Sequence, residues 1–340
     1  MAERYAVSAG NWVAARFDGG TLPGVGDTVH ANGFAVTIDT TITVDALSTR
    51  AGAVAVAGGT FTTSGTVTVN ADSYGGTVAC LVLSANGTQN GNSYGSDTTN
   101  NIFGTLINSV TAVQNGNANG GNGSGRSGTD VIGGTLNGNA YGGSGANANG
   151  VRVRNFGYLI GNAYGGSAAG SHGALNSLRA IHIGNSYASA FANGLAASAG
   201  AIQFGDSFGG SGLQCYGTRL NGAYHIGNAT GGSGSAATGT LCESGAIFYG
   251  GAIGGTLSTA CGVEAFNGGV IVAMSAVSGI AKAIRLANYG AVILRNGITI
   301  SDILDISSPG LSEIAIDSSP NYPFLDAGGS GGFPLSRVLN

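Results

Sequence analysis

Residues 138–150 read GNAYGGSGANANG, and residues 161–173 read GNAYGGSAAGSHG. The phrases start 23 residues apart, hold one tyrosine each, and use no Asp, Glu, Lys or Arg. The same opening recurs along the chain. Gly-Asn pairs begin at Gly91, Gly116, Gly138, Gly161, Gly184 and Gly227, and a Gly-Asp at Gly205, at intervals of 21–25 residues. Three residues after each glycine stand Tyr94, Asn119, Tyr141, Tyr164, Tyr187, Phe208 and Thr230. A second glycine row runs through Gly150, Gly173, Gly194, Gly217, Gly239 and Gly262. Short apolar stretches such as RAIHI from Arg179 and GAIQF from Gly200 precede the phrases.

A fixed period of this length marks a repeat architecture. Helical repeats are excluded, because a glycine in a helix interior costs about 1 kcal/mol and here one comes every few residues. Propeller blades need roughly 40 residues, and a calcium-binding roll needs an aspartate in every turn; GGSGANANG has none. What remains is an all-β chain wound as a parallel β-helix, one coil per 21–25 residues. Strands of successive coils then lie about 4.8 Å apart. Glycine turns the corner at positive φ, and the following Asn tolerates left-handed geometry and hydrogen-bonds locally. In register, Asn92 to Asn228 form a ladder and the tyrosines form an aromatic file. Alternation in AIHI is read with Ile181 and Ile183 inward and His182 outward, and Phe248 and the neighbours of Val151 are read as outward positions open to subunit packing.

Composition agrees with a packed fold. Among 340 residues there are 65 glycines and only 8% charged residues, yet 43% are hydrophobic. Disordered chains show the opposite balance, and five prolines without a Gly-X-Y period exclude collagen. Length alone is compatible with two or three domains. The net charge of −4 and 12 scattered Lys and Arg give no footprint for nucleic acid. The sequence contains no apolar run of 18 residues, and its start, MAERYAVSAGNW, has no apolar signal core, so neither membrane insertion nor secretion is expected. Cys80, Cys215, Cys242 and Cys261 form no CxxC and are read as small buried hydrophobes.

Three regions are expected: a β-rich cap or attachment region at 1–72, the helix at 73–300, and a C-terminal cap at 301–340 that holds Pro309, Pro320, Pro323 and Pro334. The caps answer the need to cover the open strand edges at each end. Within 1–72, Gly-Asn-Trp at 10–12, Leu-Pro at 22–23 near a Gly-Asp, and the strands VTID and ITVD resemble the eight-glycine domain at the head of β-helical surface and phage proteins. The coils resemble the right-handed, pectin-lyase-like β-helices of bacteriophage tailspikes and tail fibres. That resemblance implies a virion protein, assembled in the host cytoplasm and working at the cell surface, that forms a homotrimer, attaches to other virion proteins through its N-terminus and binds a host-surface polysaccharide.

Candidate site residues follow. Tyr141, Tyr164, Tyr187 and Phe208 either stack as a structural file or offer flat faces to sugar rings. Glycan-degrading relatives of the fold use paired carboxylates, and Glu243 and Glu264 fall in adjacent coils. A purely structural fibre or filament subunit is the third reading. His182 and His225 share a column but stand two coils apart with Gln203 between them, about 9–10 Å, too far for one metal ion. No metal site, cofactor motif or nucleophile triad is expected.

Overall fold

The computed structural model describes residues 2–51, 55–76, 79–96, 103–122, 124, 127–257, 260–278, 282–286, 290–294, 304–306, 313–317 and 338–339. They fall into two units, Met1–Leu175 and Asn176–Asn340. Each is a right-handed-type parallel β-solenoid with about 23 residues per coil, as the repeat predicts. Among the described residues there is no α-helix, only the short 3-10 turns Ala14–Arg16 and Asp18–Gly20.

One coil of the first unit shows the plan. The strand Thr135–Asn137 meets the Gly138-Asn139 bend, and the two-residue strand Ala140–Tyr141 follows. A loop leads to Gly150 and to the strand Val151–Arg154 of a second sheet, and a tight turn starts the next coil at Tyr158–Ile160. Its strands pair in parallel with their counterparts in neighbouring coils: Leu136 with Leu159, Tyr141 with Tyr164, Thr129 with Val151. In the second unit, Ile202–Phe204, Ser207–Phe208 and Thr218–Asn221 pair in the same way onto Tyr224–Ile226, Ala229–Thr230 and Thr240–Glu243.

The corner glycines line up in files. A Cβ on Gly138 would lie 2.1 Å from the carbonyl oxygen of Gly116, and one on Gly227 would lie 2.0 Å from that of Gly205. No side chain fits between them, so these two positions admit glycine alone. The second row has a different cause. A Cβ on Gly150 would strike the backbone nitrogen of Tyr141 at 2.3 Å, and one on Gly217 that of Phe208 at 2.3 Å. There the two sheets of one coil touch backbone to backbone.

The Asx residue beside each corner glycine accepts from the coil above. Asn117 N donates to Asn92 Oδ1 at 2.9 Å, Asn139 N to Asn117 Oδ1 at 3.0 Å, and Asn162 N to Asn139 Oδ1 at 2.9 Å. In the second unit Asp206 N donates to Asn185 Oδ1 and Asn228 N to Asp206 Oδ1, both at 2.8 Å. The expected ladder therefore runs from side chain to backbone rather than from amide to amide.

Parallel pairing already begins in the region 1–72, where Glu3–Tyr5 pairs with Thr28–His30 and Gly10–Asn11 with Ala35–Ile38. Trp12 is buried there against Phe17 and Phe61, at ring distances of 4.7 and 6.2 Å. In the region 301–340, Leu304–Ile306 and Glu313–Asp317 pair parallel onto preceding strands. Pro309, Pro320, Pro323 and Pro334 lie outside the described residues.

The interior corrects the alternation read from sequence. The residue two positions before each corner glycine points inward, and the one next to the glycine points out. His182, His225 and Phe248 are fully buried, whereas Ile183 is 45% exposed. Val151 and Val153 are buried as well, so GVRV turns its valines in and its arginines out. Hydrophobicity set the wrong phase because the buried column is partly polar. Gln89, Gln114, Gln203 and His225 in that column are hydrogen-bonded, which removes most of the penalty for burying them. Gln114 Nε2 donates to Ser93 Oγ at 3.0 Å, and Thr129 Oγ1 donates to Gln114 Oε1 at 2.8 Å. Gln89 with Ser73 and Thr105 repeats this triangle one coil earlier.

All four cysteines are free and buried, as read from the sequence. Burial pushes the Cys80 thiol up to about 12 and raises that of Cys242 as well.

Candidate functional site

The aromatic file grows from the two-residue strand after each corner. Its first residue, Ala or Ser, is buried, so the second must face out. Parallel register then sets ring over ring. Tyr141 and Tyr164 stack at 5.0 Å and 6°, and Tyr74 and Tyr94 at 4.6 Å and 3°. In the second unit Tyr187 and Phe208 stack at 4.8 Å and 5°. These distances match the coil spacing, so the ring faces within each pair cover one another and the ring edges meet solvent.

The neighbouring corner residue locks each hydroxyl. Asn139 Nδ2 donates to the Tyr141 hydroxyl and Asn162 Nδ2 to that of Tyr164, both at 3.3 Å; Asn185 does the same for Tyr187 at 3.2 Å. Where the corner holds Asp206, which has no amide to donate, the ring is Phe208, which has no hydroxyl to receive one. Asn119 interrupts the file between Tyr94 and Tyr141 in register. Tyr141, next to that break, is the most open of the four candidate rings at 36%.

Glu243 and Glu264 lie on the outer face of the second sheet in adjacent coils. Glu264 stands opposite Leu241, so the two carboxylates are two residues out of step. Each is taken by a different arginine. Arg219 Nε and Nη2 both donate to Glu243 Oε2, at 3.1 and 3.0 Å. Arg285 Nη1 donates to Glu264 Oε1 at 2.6 Å, with its guanidinium 5.6 Å from the centre of the Phe266 ring. Glu264 is nearly buried, Glu243 less so. Tyr216 belongs to the same cluster. Burial first, then the charges of Glu264 and Glu243, push its phenol up to about 12.

A comparable cluster sits in the first unit. Asp130, buried at its side chain, accepts from Arg152 Nε and Nη2 at 3.1 and 2.7 Å and from Arg154 Nη2 at 2.7 Å. Reading the sequence by hydrophobic runs missed Arg152, Arg219 and Asp130. The signal was the second glycine row: two residues after Gly128, Gly150, Gly217 and Gly262 come Asp130, Arg152, Arg219 and Glu264. That position is the outer file of the second sheet.

The fold and its surface define a class, the parallel β-solenoid. The chain matches no protein-family model, no curated protein and no solved structure.

Proposed function

We propose that the protein is a non-enzymatic structural component of a virion fibre or spike, and that its outer face lined by aromatic rings and amides binds a host-surface polysaccharide. The aromatic file carries this reading. Rings and amides repeat along the surface at the coil spacing, and a polysaccharide, itself a repeat of hydroxyls and apolar ring faces, matches that array. Ring edges, the open face of Tyr141 and the Asn side chains supply the contacts, with no metal or cofactor. The full-length protein, applied to an array of bacterial surface polysaccharides beside its Tyr141→Ala/Tyr164→Ala variant, tests it. Binding weakened at least tenfold in the variant supports the reading; no binding by the native protein, or equal binding by both, defeats it.

A depolymerase on the same fold is the second reading, favoured by the gathering of Glu243, Glu264 and Tyr216. Two residues out of step on strands about 4.8 Å apart, Glu243 and Glu264 stand roughly 8 Å apart at the backbone, a spacing from which flexible side chains can reach the separation that inverting pairs use. Sugar release abolished by Glu243→Gln or Glu264→Gln supports it. Release that survives both substitutions removes these residues from the chemistry.

A further inference from the structure

We infer that the break in the aromatic file at Asn119 is a notch for one pyranose ring of a glycan, held between the facing rings of Tyr94 and Tyr141; this rests on the polysaccharide reading of the file. The residues all belong to the unit Met1–Leu175. Tyr94, Asn119 and Tyr141 occupy one position in three successive coils, paired in register. Tyr94 turns one face to Tyr74, at 4.6 Å and 3°, and Tyr141 turns one face to Tyr164, at 5.0 Å and 6°. Their other faces look at each other across the coil of Asn119. Asparagine is too short to take the place of a ring. Its Nδ2 donates to the Ser93 carbonyl of the preceding coil at 3.3 Å, which holds the amide down against the backbone.

The width of the notch selects the guest. Two strand spacings set the facing rings about 9–10 Å apart. A flat aromatic ring touching both would need only about 7–8 Å, because carbon atoms pack at about 3.5–4.0 Å. A pyranose is thicker, by its pucker and its axial substituents, and it carries C–H groups on both faces. It therefore lies against both tyrosines at once, with its equatorial hydroxyls at the rim. Between the members of each stacked pair there is no such room.

A donor stands at that rim. In coils that carry tyrosine, the corner asparagine donates to the hydroxyl of its own ring: Asn139 to Tyr141 and Asn162 to Tyr164, both at 3.3 Å. Asn117 holds the same corner in the notched coil, and its Oδ1 accepts from Asn139 N at 3.0 Å as in the rest of the ladder. Two residues on stands Asn119 in place of a tyrosine, so Asn117 Nδ2 has no ring hydroxyl to serve. A sugar hydroxyl in the place of that phenol accepts from it. Apolar walls with a few placed polar groups are the usual make-up of small-ligand sites. Tyr94, Asn117, Asn119 and Tyr141 carry no charge at neutral pH, which suits a neutral sugar.

Asn119→Tyr in the full-length protein tests this. The new ring stacks between Tyr94 and Tyr141 and gives Asn117 its hydroxyl, so the notch is closed by a side chain the file already uses. Native protein and variant, matched in far-ultraviolet circular dichroism, are titrated with the polysaccharide that the native protein binds most strongly on the array of bacterial surface polysaccharides. Asn119→Tyr is expected to weaken binding about tenfold or more. Equal binding by both overturns the notch and leaves the polysaccharide reading standing; a native protein that binds nothing on the array overturns both. Should Asn119→Tyr not fold, Tyr94→Ala decides: binding weakened about tenfold supports the notch, and unchanged binding defeats it.

Discussion

Ser186 Oγ lies 2.7 Å from Thr218 Oγ1, and both hydroxyls are fully buried between the two sheets of the solenoid. Gln203 closes the triangle: its Nε2 donates to Ser186 at 2.9 Å and its Oε1 accepts from Thr218 at 2.6 Å. The serine comes from the preceding coil, so each triangle ties one coil to the next. Where the glutamine position holds Leu136, the matching residues are Ala118 and Val151; where it holds Phe248, they are Ala229 and Val263. In these coils polar and apolar sets exchange as wholes, whereas buried His182 has Leu195 in the place of the threonine.

Gln203→Leu alone leaves the two hydroxyls with only each other as partners and is expected to cost about 1–3 kcal/mol. The triple change Gln203→Leu/Ser186→Ala/Thr218→Val, which copies the Leu136 set, is expected to recover most of that loss. Urea unfolding of the two variants checks both halves. Equal stability of the single and triple variants contradicts the exchange.

His225 replaces glutamine in one such set. Its Nε2 donates to the Gly205 carbonyl at 2.7 Å, which leaves Nδ1 to accept from Thr240 Oγ1 at 3.0 Å; Ser207 lies 2.8 Å from that same hydroxyl. Burial lowers the imidazole pKa from 6.5 to about 4. Between those values the unfolded chain carries the extra proton, so stability rises with pH across the window and is fully present above it. Acidification from pH 6.5 to 4 is expected to remove about 3 kcal/mol. His225→Gln, which keeps partners for Ser207 and Thr240, is expected to flatten that dependence. Urea midpoints at several pH values for both proteins give the comparison.

Two glycine substitutions separate sterics from backbone conformation. Gly245 has φ +76° and open space where a Cβ would point, so Gly245→Ala is expected to cost only the left-handed penalty of about 1–2 kcal/mol. Gly138→Ala drives a methyl into the Gly116 carbonyl and is expected to cost more than about 4 kcal/mol, the range reserved for severe disruption. Thermal melts of similar midpoint for the two variants would count against the close-packed file.

Asp130 makes an asymmetric test. Arg152→Met withdraws two of the three hydrogen bonds to a buried carboxylate, with Arg154 still pairing it, and is expected to cost about 1–3 kcal/mol. Asp130→Leu instead extends the column of Leu106, and the two arginines, each about a third exposed, turn to water. The leucine variant is expected to be the more stable of the two by denaturant midpoint.

The repeat by itself determined the coil. Only glycine survives where one backbone passes 2.1 Å from the place of a Cβ, so Gly116, Gly138 and Gly161 announce their stacking in any listing of the chain. The aromatic file and the corner ladder follow, because parallel register carries equal positions into equal places. The facing of each side chain was left to the tertiary structure. His182 and Ile183 are one residue apart, and hydropathy assigns them the wrong way round. A buried polar residue is affordable only beside partners that come from another coil and another sheet, and those partners are neighbours in space alone. For the same reason the pairing of Glu243 with Arg219 and of Glu264 with Arg285, across 24 and 21 residues, emerged only when the coils were stacked.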